Sequence, residues 1–209
     1  RTLNHTNLVQ LIGIVDDNDD SLCIVTEYMG RGSLLDYLRT RGRSVITQSD
    51  QIKFARDVCS GMKYLEEKKL VHRDLAARNV LLHDNGVAKV SDFGLAVNDV
   101  MMKTAGCKIP VKWTAPEALK HNKFTCKSDV WSFGVLLWEI YTFGRVPYPR
   151  ISLNDVLAWL EEGNRMDRPD GCPEEMYKVM KMAWRWQADE RPTFKDIHSL
   201  IIECASTDV

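Results

Sequence analysis

The stretch from Val130 to Phe143 constrains the fold more than any other part of this chain. Trp131, Phe133, Val135, Leu136, Leu137, Trp138 and Ile140 are spread around every side of a helix over these residues and leave hardly any polar face. Such a helix can persist only as a central post with other elements packed around it. A second helix has one apolar face, because Ile52, Ala55, Val58, Cys59, Met62 and Leu65 recur at spacings of three and four. Further helix starts are expected where a hydroxyl precedes a carboxylate by three residues, at Ser33/Asp36, Ser152/Asp155 and Thr193/Asp196. Toward the beginning, the runs Leu8 to Val15 and Leu22 to Glu27 flank the acidic segment 16–20 and predict a β-hairpin. With 209 residues and 44% hydrophobic content, the chain can bury one substantial core.

Bulk properties exclude several classes. Lys+Arg 28 against Asp+Glu 29 gives a net charge of −1, so no overall field attracts nucleic acid or an anionic membrane. No apolar run is long enough for a membrane span. Six cysteines, at 23, 59, 107, 126, 172 and 204, form no C-x-x-C pair, which argues against a zinc site and fits a reduced protein. The triplet Asn4-His5-Thr6 has the form of a glycosylation acceptor, but it is short enough to arise by chance. The opening Arg1-Thr2-Leu3-Asn4 has neither an initiator Met nor a signal pattern, and the sequence reads as an internal segment of a longer protein.

The chemistry concentrates in Val71-His72-Arg73-Asp74-Leu75-Ala76-Ala77-Arg78-Asn79 and Ser91-Asp92-Phe93-Gly94. Between them, Val80-Leu81-Leu82 and Val87-Ala88-Lys89-Val90 flank Asn85-Gly86, which predicts two strands joined by a type I′ turn. Asn79 and Asp92 each lie six residues from that turn, so strand pairing should bring an amide and a carboxylate oxygen together, a donor set suited to Mg²⁺.

These stretches, with Ala115-Pro116-Glu117 ending twenty-five residues after Asp92, resemble the protein-kinase pattern H-R-D-L-x-x-x-N, D-F-G and A-P-E. The resemblance implies an α+β protein kinase-like fold, with residues 1–29 a remnant of the small lobe and hinge and 30–209 a complete, mainly helical large lobe. It implies ATP and Mg²⁺ as cofactors. Asp74 would receive the substrate hydroxyl proton, and Asn79 and Asp92 would hold the metal on the nucleotide phosphates. Glu117 with Arg191 resembles a buried scaffold ion pair, and Asp129 resembles the carboxylate that holds the catalytic-loop backbone. Thr26, Glu27, Met29 and Leu81 fall at gatekeeper, hinge and adenine-floor positions. Leu11, His72 and Phe93 fall where the family stacks a packing spine, so His72 is expected to pack and not to act as a base. The glycine-rich loop and the ATP lysine would precede Arg1, and Lys89 is an ordinary strand residue. The fragment by itself is accordingly expected to be inactive.

Arg78 in Ala76-Ala77-Arg78, and Lys112-Trp113 in the segment before Ala115, resemble the tyrosine-kinase forms of the catalytic loop and substrate platform. Leu95 to Lys112 contains no tyrosine. Together with Arg39, Arg41 and Arg43 and the segment Phe143 to Arg150, this resembles the C-terminal Src kinase family. That family implies a non-receptor enzyme that phosphorylates the inhibitory tail tyrosine of Src-family kinases. It would be cytoplasmic, brought to the plasma membrane by adaptors, with SH3 and SH2 domains upstream and a protein-docking role for the three arginines. Another cytoplasmic or receptor tyrosine kinase is the alternative. A pseudokinase scaffold is less favoured, because Asp74, Asn79 and Asp92 are all present.

Overall fold

The computed structural model describes residues 3–17, 21–92, 97–98 and 109–207. Phe93, Gly94, Thr104 and the tip of the acidic turn, 18–20, lie outside the described residues. Within them the expected α+β kinase-like architecture is present: seven helices of a large lobe, preceded by one antiparallel hairpin.

Helix α4, Cys126–Tyr141, is the predicted post, and every residue from Ser128 to Tyr141 is buried. Around it stand α2, Gln48–Glu67, and α6, Glu174–Ala183, with α7, Phe194–Thr207, packed on α2 and α6. The predicted face of α2 is buried throughout. Gly134 is what lets α4 approach α6, since a Cβ there would come within 2.6 Å of the Trp184 indole nitrogen. Edge-to-face stacking of Phe133 on Phe194 closes the α4–α7 contact, with ring centroids 5.6 Å apart.

Two predicted caps form as expected. Ser33 caps α1, Leu34–Arg41, and Thr193 accepts the Asp196 amide at the start of α7. Ser152 and Asp155 instead close a turn, and α5, Val156–Glu161, begins only after it. Two capping boxes escaped the sequence reading, Thr47/Asp50 on α2 and Thr125/Ser128 on α4. The second has a hydroxyl where the pattern calls for a carboxylate. The arginine cluster does not lie on one helix: Arg39 and Arg41 are in the last turn of α1, whereas Arg43 follows the Gly42 cap (φ 58°) in a 3-10 turn. Short α3, Pro116–His121, carries Glu117.

Strands β1, Leu11–Asp17, and β2, Ser21–Thr26, form the predicted hairpin, with a bulge between Leu11 and Gly13. Leu8 and Val9 do not belong to it. They cross to the second sheet, where the Val9 amide donates to the Val90 carbonyl at 2.9 Å and the Val90 amide to the Asn7 carbonyl at 2.9 Å. That sheet pairs β4, Val80–Leu82, with β5, Ala88–Val90, in register Leu81 opposite Lys89. A third small pair joins β3, Leu70–Val71, to β6, Val97–Asn98.

The β4–β5 turn is not type I′. Asn85 keeps a negative φ and only Gly86 is left-handed (φ 79°). The Gly86 amide donates to the His83 carbonyl at 2.8 Å, and the His83 amide to the Val87 carbonyl at 3.0 Å. The loop is therefore one residue longer than the dipeptide implied, but the pairing of the strands is as expected.

Candidate active site

The catalytic-loop segment between β3 and β4 has almost no regular structure, so its shape must come from hydrogen bonds to other elements. Helix α4 supplies two of the anchors. At its first turn, Asp129 accepts the backbone amides of His72 (2.7 Å) and Arg73 (2.9 Å). Near its last turn, Glu139 Oε2 accepts the Ala77 amide (2.9 Å) and the Trp113 indole N–H (2.9 Å). Burial pushes both carboxyls up to about 7, against the pull of these same N–H donors. Arg73 sits at φ 73° and Asp92 at φ 57°, left-handed conformations that cost a non-glycine residue energy and are held by the surrounding bonds.

His72 is fully buried. Its Nδ1 accepts the Asp74 amide (3.2 Å), so the proton resides on Nε2, which lies 2.8 Å from the Ser91 carbonyl. Burial lowers its pKa, and the ring serves as a neutral spacer between the catalytic loop and the strand leading to Asp92. Leu11, the other described member of the expected spine, is 40% exposed on the hairpin.

Both carboxylate oxygens of Asp74 are held. Arg78 Nη2 forms an ion pair with Oδ1, and Asn79 Nδ2 donates to Oδ2 at 2.9 Å. Asn79 Nδ2 also donates to the Asp74 carbonyl at 2.7 Å. With its amino group committed to Asp74, Asn79 keeps its Oδ1 for a cation. Ser91 Oγ lies 3.0 Å from the Asn79 backbone carbonyl and 3.0 Å from Asp92 Oδ2, so this hydroxyl links the Asp92 side chain to the Asn79 backbone. Among the described residues no group of three or more His, Cys, Asp or Glu could cage a metal. One amide and one carboxylate oxygen fit Mg²⁺, which retains waters and takes its other ligands from substrate phosphates.

Arg78 also lies over the Trp113 ring, 4.7 Å from its centroid, so one guanidinium joins Asp74 to the platform. Trp113 and Lys112 were expected to meet substrate. Both are half-buried, and their polar ends are bonded within the chain, Trp113 to Glu139 and Lys112 Nζ to the carbonyls of Pro147 (2.9 Å) and Tyr148 (3.3 Å). They shape the platform rather than offer hydrogen bonds from it. The scaffold pair forms as expected: Arg191, 1% exposed, meets Glu117 through two bonds of 2.6 and 2.8 Å.

At the hinge, Thr26 ends β2 and is exposed, and Met29 is buried with its carbonyl accepting the Gly32 amide. Leu81 is half-buried and bridges to Ser33, beside the hinge. The Glu27 side chain binds Lys89 Nζ (2.7 and 2.8 Å) and the Gln10 amide (2.8 Å). Burial raises the Glu27 pKa, but these donors outweigh it and the net shift is downward. Arg39, Arg41 and Arg43 are exposed and outside this cluster; Arg39 Nε donates to the Gly144 carbonyl at 2.8 Å and Arg43 lies over the Phe143 ring.

Glu139 and Ser91, which hold the expected catalytic segments by hydrogen bonds, were not singled out in the sequence. An acid in the apolar, buried later turns of α4 was the available signal for Glu139, since a buried carboxylate without donors is costly. Ser91 gave none.

Residues 1–201 match the family model described as protein tyrosine and serine/threonine kinase. The chain is 56% identical over 197 residues to tyrosine-protein kinase csk-1 of Caenorhabditis elegans, covering 93% of this chain and 36% of that protein. It is 52% identical to tyrosine-protein kinase Abl of Drosophila melanogaster, covering 95% and 12%, and 50% identical to the megakaryocyte-associated tyrosine-protein kinase of Rattus norvegicus, covering 93% and 41%. The chain thus spans well under half the length of each of these relatives.

Proposed function

Since the chain belongs to the protein tyrosine and serine/threonine kinase family, we propose that it forms the large lobe and hinge of an enzyme that transfers the γ-phosphoryl group of ATP to protein tyrosine. The observation that carries the tyrosine reading is the Arg78 bridge, which ties the proposed catalytic carboxylate to an aromatic platform.

Asp74 is no strong base. A model tyrosine has pKa about 10 and a model aspartate about 3.9, so proton transfer in the ground state is uphill by roughly 8 kcal/mol. In a loose phosphoryl-transfer transition state, Asp74 orients the hydroxyl and takes its proton late. The Arg78 and Asn79 contacts fix the carboxylate for that task. Asn79 Oδ1 and Asp92 would hold Mg²⁺, which when bound neutralises charge on the phosphates. Thr26, the backbone of Glu27 and Met29, and Leu81 would receive adenine. In the intact kinase, Asp74→Asn should lower kcat by about 10²–10⁴-fold with nucleotide affinity nearly unchanged, whereas Asp92→Asn should weaken Mg²⁺-dependent nucleotide binding. Equal affinity losses in the two variants would show the roles to be misassigned.

The finer reading is that the substrate is the inhibitory tail tyrosine of Src-family kinases, chosen through Arg39, Arg41 and Arg43. It is supported by the similarity to csk-1 and by the exposure of the three guanidinium groups. Upstream SH3 and SH2 domains, a cytoplasmic location and recruitment to the plasma membrane by adaptors belong to the same reading. No helix among the described residues is long and apolar enough to cross a membrane. Replacing all three arginines with Ala should impair phosphorylation of a folded Src-family kinase and spare a short neutral tyrosine peptide. Equal losses on both would favour a kinase of different specificity.

A further inference from the structure

Beyond α1, the loop after α4 carries a second concentration of cations. Arg39 Nε is bonded to the Gly144 carbonyl and Arg43 lies 5.3 Å from the Phe143 ring centroid, so the end of α1 and residues 143–150 form one continuous surface. A trough of about 560 Å³ in this surface is lined by Arg39, Lys112, Arg145 and Arg150 and by no acidic residue. It shares Phe143, Arg145 and Pro149 with a neighbouring cavity of about 500 Å³. Trp138, Trp159 and Met166 line that cavity together with Arg43, Arg165 and Arg168 and with two acids, Asp167 and Asp170. Among the described residues, none of Arg39, Arg43, Arg145, Arg150 and Arg168 is ion-paired with a carboxylate.

This lining is rigidly built. Trp138 Nε1 donates to the Asp167 carbonyl (3.2 Å), the Tyr148 amide to Met166 Sδ (3.2 Å), and Trp159 stacks edge-on against Tyr148 at 5.7 Å. A cavity lined in part by aromatic rings, beside guanidinium groups that meet no carboxylate among the described residues, suits a ligand with a bulky apolar side chain flanked by carboxylates. We infer that the trough and the cavity together dock an acidic surface segment of the folded protein substrate, whose carboxylates lie along Arg145 and Arg150 while one large apolar side chain enters over Trp159. The inference rests on the kinase reading above and extends docking from the α1 arginines to the loop after α4.

Among the described residues, none of Arg145, Arg150 and Arg168 is ion-paired with the catalytic cluster, so their replacement leaves the chemistry in place. In the intact kinase, the triple variant Arg145→Ala, Arg150→Ala, Arg168→Ala should raise KM for a folded Src-family kinase domain by about tenfold at low salt and leave a short neutral tyrosine peptide within about twofold. In 5-fluorotryptophan-labelled kinase, the Trp159 fluorine resonance, assigned with Trp159→Phe, should shift on titration with a catalytically inactive Src-family kinase domain. An unmoved Trp159 resonance, or equal losses on protein and peptide, overturns the proposal. So does a change confined to self-association of the kinase in sedimentation. If the Arg39, Arg41, Arg43 variant loses selectivity for the folded substrate and this one does not, the extension alone fails. If neither loses it, the docking reading fails as well.

Discussion

Charged groups under the catalytic loop and charged groups on the α1–loop face are treated in opposite ways. Beneath the loop, Asp129 and Glu139 are buried and each accepts two N–H donors from the elements they position, and Arg191 spends its guanidinium on Glu117. On the outer face, Arg39 and Arg43 reach a carbonyl and a ring, and among the described residues neither is ion-paired with a carboxylate. A buried charge satisfied within the chain fixes geometry, because leaving it unmet would cost several kcal/mol. Exposed charge without a carboxylate adds little to stability and remains available to a partner.

The largest expected effect tests the inner half of this contrast. Arg191→Ala strands the Glu117 carboxylate, so denaturant unfolding of the intact catalytic domain should show a loss of about 3–5 kcal/mol. A loss below about 1 kcal/mol would mean the buried pair is not what joins α3 to the late helices.

Glu139 sharpens the contrast through pH. Its folded pKa is raised to about 7, above that of an unfolded glutamate, so the folded state holds the proton to higher pH. Its contribution to stability is therefore greatest at acid pH and falls as pH rises toward 7, with a limiting slope of about 1.4 kcal/mol per pH unit. Glu139→Gln should flatten the pH dependence of unfolding between pH 5 and 7, leaving the similar share of Asp129. It should also loosen the platform, seen as a higher KM for the tyrosine peptide. An unchanged slope would show that Glu139 is ionised throughout this range.

Two smaller effects test the outer half and the boundary. Arg41→Ala should change stability by no more than about 0.5 kcal/mol, because the side chain is exposed and rests on the Tyr37 ring at the surface. Arg73 lies between the two regimes: its guanidinium covers the Phe124 ring at 5.5 Å and its buried Nε has no hydrogen-bond partner among the described residues. Leu95 to Lys112 offers no tyrosine whose phosphate could meet it. Preincubation of the intact kinase with ATP and Mg²⁺ should then leave initial rates unchanged. A large gain tied to phosphate in that segment would refute this.

The sequence by itself determined the post helix, the amphipathic α2, the order of the catalytic motifs and the neighbourhood of Asp74, Asn79 and Asp92. Each of these depends on local periodicity or on spacing within a short hairpin, and the pairing of Val80 with Val90 follows from the chain between them. Only the tertiary structure decided that the polar ends of Lys112 and Trp113 are bonded within the chain, that Leu8 and Val9 leave the hairpin for β5, and that Glu139 serves two segments 36 residues apart, at Ala77 and Trp113. A side chain's direction at those positions is set by which donors and acceptors distant elements bring to it, and the requirement that buried polar groups be paired acts across the whole fold, not along the chain.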